Sequence, residues 1–272
     1  MKFKNLLLIT SIPLVMVLGS VSVFAGPDND LCNGLPSHSE LETALVNSVA
    51  ASGGPSNGGL DTHMWGTIVA NDGTVCAVAM TGGVINDQWL GGRVISAQKA
   101  NTANAFSLQD NGSGPASGLA LSTANLYSAV QPGGILFGLQ FSNPVNTNVA
   151  YNGPSNNFGT SKDPMNGDRI GGVNVFGGGL ALYDNSGEMI GALGVSGDTS
   201  CADHNVAWRT RDALGLDNVI NGLSGSDGGD NIIYDIDEYG VSLSGFGHPT
   251  CGSLEKIVNV DILNVHPLGP NP

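Results

Sequence analysis

Apolar residues recur along this chain with two different spacings. LETALVNSVAAS follows the capping-box sequence Ser39 to Glu42 at helical spacing and stops at Gly53 and Gly54, which predicts one short amphipathic helix. MWGTIVA and TVCAVAM then flank Asn71, Asp72 and Gly73, the pattern of two strands joined by a tight hairpin. From Arg93 to Phe106 there is neither proline nor glycine, and a helix there places Ile95, Lys99, Thr102, Ala103 and Phe106 on one face. GGLALYD and EMIGALGV flank Asn185, Ser186 and Gly187 as a second hairpin. The next helix, DHNVAWRTRDALG, opens on a capping-box-like pair, Ser200 and Asp203, and ends at Gly215.

Two regions fit this alternation less well. Residues 107–176 are rich in Asn, Gly, Pro and Ser and read as a long insertion, with a helical turn or two in STANLYSAV and a buried strand in ILFGLQFS. Residues 215–272 read as an extension with one strand, NIIYDI, and a proline-rich coil. Hairpins imply antiparallel pairing, so the expected fold is a single α+β domain, an antiparallel sheet flanked by helices.

The first 25 residues pair Lys2 and Lys4 with an apolar run and end in Val23, Phe24 and Ala25, the pattern of a cleaved secretory leader. Secretion or a periplasmic location is therefore expected, with no membrane span in the mature chain. The net charge of −14, more negative once two leader lysines are removed, disfavours nucleic acid as a partner. Charged residues make only 12% of the chain, so a buried core is affordable to it and disorder is not expected. All four cysteines follow the leader without a CxxC pair, which favours two disulfides over a zinc site. Pairing Cys32 with Cys76 and Cys201 with Cys251 would tie a helix-flanking and a tail cysteine to the sheet domain.

Candidate chemistry concentrates in GALGVSGDTSCADHNVAWR. Gly194 and Gly197 permit close backbone approach, Asp203 marks a helix mouth, and His204 on the first turn is the best-placed histidine for a metal. Lys99, on its apolar stripe, either lays its stem along the surface or binds an anionic ligand. His63 is the next candidate donor. GVSGD lacks the second glycine of a serine-hydrolase elbow. Asp227, Asp230, Asp235, Asp237 and Glu238 offer oxygens for calcium without a complete binding-loop pattern.

The first hairpin, the helix with SAQKANTA, and GGLALYDNSGEMIGALGVSGDTSCADHNVA together resemble the GlcG and HbpS haem-binding family, to which the PduO C-terminal domain belongs. Lys99-Ala100 and Thr102-Ala103 match that family's helix, and GVSG with Asp203 matches its strand-to-helix turn. The resemblance implies a profilin-like or PAS-like sheet, homo-oligomers, and a pocket for haem or another flat cofactor near Lys99, Gly194, Gly197, Asp203 and His204. It also leaves open a lyase or related enzyme using the same pocket, and a structural or partner-binding module in which the insertion fills it.

Overall fold

The computed structural model describes residues 29–225 and 228–269. The expected leader and Asp227 lie outside the described residues.

Four strands form one antiparallel sheet: β1 (Trp65–Ala70), β2 (Val75–Met80), β3 (Gly179–Tyr183) and β4 (Met189–Ser196), in the order β2-β1-β4-β3. The two hairpins are the sequential pairs, and β1 joins them by pairing with β4, Trp65 opposite Ser196 and Ala70 opposite Gly191. Gly73 and Gly187 hold the positive φ that each turn requires.

Strand alternation divides the core between two faces. Met64, Ile68, Leu180, Leu182, Leu193 and Val195 point to a layer made by α1 (His38–Ser48) and α3 (Ser200–Ala213). Trp65, Val69, Val78 and Ala192 point to α2 (Gly92–Phe106) and to the insertion, which adds Ala150, Met165 and Ile170. With both faces covered, even Thr67 is fully buried, its hydroxyl 2.8 Å from that of Ser96. Helix α2 lies almost on the backbone of β4, because a side chain at Gly194 would collide with the Ser96 carbonyl and the Ala100 amide.

Helix starts sit slightly earlier than the sequence suggests. Ser37, not Ser39, caps α1 and exchanges bonds with Glu40 in a capping box, and Thr199, not Ser200, caps α3 by accepting from the Ala202 amide. Larger differences occur in the two added regions. ILFGLQFS is no strand: Gly138 takes φ 92°, which breaks the extended run, Leu139–Ser142 form a single helical turn, and Ile135 is 89% exposed. STANLYSAV does form the expected helical turns, as two short 3-10 segments. NIIYDI makes no ladder beyond an isolated bridge between Ile236 and Ser242, because the Ile232 amide is turned onto the Asn231 side chain. The expected proline-rich coil contains helix α4 (Glu255–Val265), which packs Ile262 and Val258 onto the α1–α3 side.

Each added region is fastened by a buried ion pair. Asp163 in the insertion receives the Arg93 guanidinium of α2 in two bonds, and Asp230 in the extension receives Arg211 of α3 at 2.8 Å through both guanidinium NH groups. Disulfides join Cys32 to Cys76 on β2, and Cys201 on α3 to Cys251 in the extension. Removing one partner of such a pair strands the other charge. Asp163→Ala is expected to cost about 3 kcal/mol in urea unfolding, well above the roughly 0.5 kcal/mol of an ordinary surface substitution.

Candidate functional site

Strand β4 ends where a turn, Gly197 to Thr199, throws the chain into α3, and α2 crosses beneath that junction. Lys99 of α2 reaches it from the sheet side. Its ammonium is fully buried, donates to Asp203 Oδ2 at 2.7 Å and to the Val195 carbonyl at 3.1 Å, and lies 5.0 Å from the Phe176 ring centroid. Asp203 uses its other oxygen to accept from the Gly197 and Asp198 amides at 3.0 and 2.8 Å. Gly197 has no room for a side chain against His63 and Met64. Burial pushes the Asp203 carboxyl up to about 6, opposed by Lys99, and burial lowers the Lys99 ammonium, opposed by Asp203.

The structure joins Lys99, Gly197 and Asp203 in one closed knot, while Gly194 lies against Ser96 and Ala100 of α2 and His204 turns to Asn231 and Ile232. Lys99 neither extends its stem to water nor offers its charge to an anion, because that charge is matched inside the fold. His204 is fully buried, with Nε2 3.0 Å from Asn231 Oδ1 and 3.1 Å from the Ile232 amide nitrogen. Donation from Nε2 to the Asn231 oxygen leaves Nδ1 an acceptor with no partner among the described residues. Burial holds this imidazole down at about 4, so it is neutral.

The lid over the knot is the extension. Asn231 also accepts from Asn259 Nδ2 at 2.9 Å, Asn205 donates to the Glu255 carbonyl at 3.4 Å, and Trp208 Nε1 donates to the His266 carbonyl at 2.9 Å. Between the sheet, α1 and the extension, every residue of α3 from Cys201 to Arg211 is buried. His248 comes down beside the helix start, its Nε2 2.6 Å from Ser200 Oγ and its Nδ1 2.7 Å from the Pro249 carbonyl, and burial lowers it to about 4 as well. No sequence pattern marks His248, since GFGHPT has no motif spacing. His63 faces Thr81 at the start of β1, and His266 pairs with Asp212. Among the described residues, the acidic side chains of the extension do not converge: Asp230 holds Arg211, while Asp235 binds Ser242 and Ser244 and Asp237 accepts from turn amides.

Open space lies about one side chain away. A cavity of about 560 Å³ separates residues 127–135 of the insertion from residues 236–246 of the extension. Tyr127, Ile135, Ile236, Val241 and Phe246 line it, no lining residue is charged, and the Tyr127 ring sits 5.0 Å from that of His248.

A family model described as haem degrading protein HbpS-like matches residues 61–211. Similar solved structures include Klebsiella pneumoniae protein ORFY, with 22% identity over 65% of this chain and 87% of that one at a TM-score of 0.41. A PduOC:heme complex shows 23% identity over 64% and 89%, TM-score 0.41, and a double mutant of Streptomyces reticuli HbpS shows 14% over 76% and 99%, TM-score 0.38. No curated protein matches. Lys99, Asp203 and His204 fall within the matched span, whereas Asn231 and Ile232, which cover His204, and His248 and Cys251, which meet the start of α3, fall outside it.

The two neutral histidines predict a pH response. Unfolded, each takes a proton near 6.5; folded, only near 4, so the unfolded chain binds more protons in between and stability falls as pH drops. Asp203 acts in the opposite sense, taking its proton near 6 when folded and near 3.8 when unfolded. Two histidines outweigh one aspartate, and urea unfolding is expected to show a net loss of about 3 kcal/mol between pH 7 and pH 4, less in His248→Gln.

Proposed function

The chain belongs to the HbpS-like family, and on that premise we propose that it binds a flat, largely apolar small molecule, haem the first candidate, at the seam between its insertion and its extension. The observation that carries this reading is the uncharged cavity of about 560 Å³, within the size range of small-ligand pockets. Haem does not fit the knot of Lys99 and Asp203 or the adjoining His204. There the ammonium is matched by Asp203, Nε2 of His204 is covered by Asn231 and Ile232, and the side chains are closed to solvent. Catalysis at that knot meets the same obstacle, since no substrate reaches it.

The seam offers a different donor set. Tyr127 carries a phenol oxygen of the kind that ligates haem iron, and Ile135, Val241 and Phe246 supply apolar contact for a ring system. Bound haem would supply redox chemistry at its iron; the chain's own part is to hold it and limit water. No lysine or arginine lines the cavity, so propionates are left to solvent.

Export completes the proposal, supported by two disulfides of the kind oxidising compartments preserve. Self-association is supported by Ile257 and Val260, apolar and exposed on α4, and by Leu254 just before it. A strictly monomeric mass in light scattering at micromolar concentration would count against it.

Hemin titration followed by absorbance tests the site. The unmutated chain is expected to give a shifted Soret band, Tyr127→Phe to alter it, and Phe246→Ala to weaken binding at least tenfold, about 1.4 kcal/mol. His204→Ala and Lys99→Ala should leave the band in place as long as the fold is retained. Absence of binding by the unmutated chain removes haem and favours a structural or partner-binding role with the family locus sealed.

A further inference from the structure

Cys201, Cys251 and His248 form a second constellation that the ligand reading does not use. Their ligand atoms all lie within 4.8 Å of one another, Cys201 and His248 are buried, and Cys251 is half-buried. We infer that this clamp is a redox-gated metal site: joined as a disulfide it binds nothing, and once reduced it holds one Zn²⁺ through Cys201 Sγ, Cys251 Sγ and His248 Nδ1, with water completing a tetrahedron.

The spacing is close to what the ion requires. Tetrahedral zinc with Zn–S near 2.3 Å and Zn–N near 2.0 Å sets sulfur and nitrogen about 3.6 Å apart, and sulfur and sulfur about 3.8 Å apart. Cys201 Sγ is already 3.8 Å from His248 Nδ1. The two sulfurs must separate once their bond is broken, which the half-buried Cys251 side chain can do by turning about its own bonds, and the Pro249 carbonyl, 2.7 Å from Nδ1 and 3.5 Å from Cys201 Sγ, must turn aside to admit the ion.

Thiolates are favoured where these sulfurs sit. Cys201 is in the first turn of α3, near the positive helix end, and its own amide donates to Cys251 Sγ at 3.2 Å. The partner that orients a metal-bound imidazole is also present. In the disulfide form Nδ1–H donates to the Pro249 carbonyl and Nε2 accepts from Ser200 Oγ. Moving the proton to Nε2 frees the Nδ1 lone pair for the metal, and Nε2–H then donates to Ser200 Oγ, already 2.6 Å away.

The conversion balances with a phosphine as reductant. The S–S bond breaks as phosphine and water become phosphine oxide, giving two thiols. Zinc then displaces both thiol protons to the solvent.

The full chain, oxidised or reduced with a water-soluble phosphine, is titrated with Co²⁺ and then Zn²⁺ under argon. The reduced chain is expected to bind one Co²⁺ with tetrahedral d–d and thiolate charge-transfer bands, and to exchange it for one Zn²⁺. The oxidised chain should show neither band. Cys32→Ser/Cys76→Ser, which removes the other disulfide, should keep the site. Cys251→Ser should abolish the bands, and His248→Gln and Ser200→Ala should weaken binding at least tenfold. Zinc should also raise the melting temperature of the reduced chain, since metal binding adds to folding. A folded reduced chain without thiolate bands overturns the inference. So do bands that survive Cys251→Ser, or reductive unfolding that zinc does not reverse.

Discussion

The rest of the molecule depends on the buried pair of Lys99 and Asp203. Taking two charges out of water costs several kcal/mol per ion in an ordinary interior. Here the cost is offset by a close set of partners, since each oxygen of Asp203 has at least one donor and the ammonium has both a carboxylate and a carbonyl. These partners come from α2, the end of β4, the turn after it and α3, so the pair fixes four segments at once. A one-residue slip of β4 would turn Val195 to the wrong face and withdraw its carbonyl from Lys99. The pair is thus more a device for register than a reserve of stability.

The same arrangement recurs where the chain departs from the 61–211 core. Arg93 on α2 accepts the insertion through Asp163, and Arg211 on α3 accepts the extension through Asp230. In both cases the central helix supplies the cation and the added segment the carboxylate. That division suits a chain with nine basic and 23 acidic residues, because scarce cations are placed where they organise the interior. Apolar packing alone would hold the additions less specifically, for Ile135, Phe141 and Leu243 remain largely exposed.

The central elements were legible because their signals are local. Turn glycines and alternating apolar residues mark both hairpins, and a proline-free run marks α2. The additions were not legible, because ILFGLQFS carries enough apolar residues for a strand and only the left-handed Gly138 shows why it cannot be one. At the site, Lys99, Asp203 and His204 could be placed together through the resemblance of their motifs. Their closure could not, since it depends on Asn231, Ile232 and His248, residues with no distinguishing spacing that reach His204 and Ser200 only through the tertiary path of the extension.

That path changes what the family-like motif means in this chain. With Asn231 and Ile232 on its imidazole edge, His204 becomes part of a buried polar network reaching Asn259 and Asn205, where each hydrogen bond lost uncovers a buried polar atom. Opening it for a ligand would strip bonds from several side chains at once. The seam between insertion and extension carries no such penalty: its lining is uncharged, it already holds space, and through Tyr127 and His248 it reaches the start of α3. On the proposed reading, binding therefore costs least where the two added regions meet.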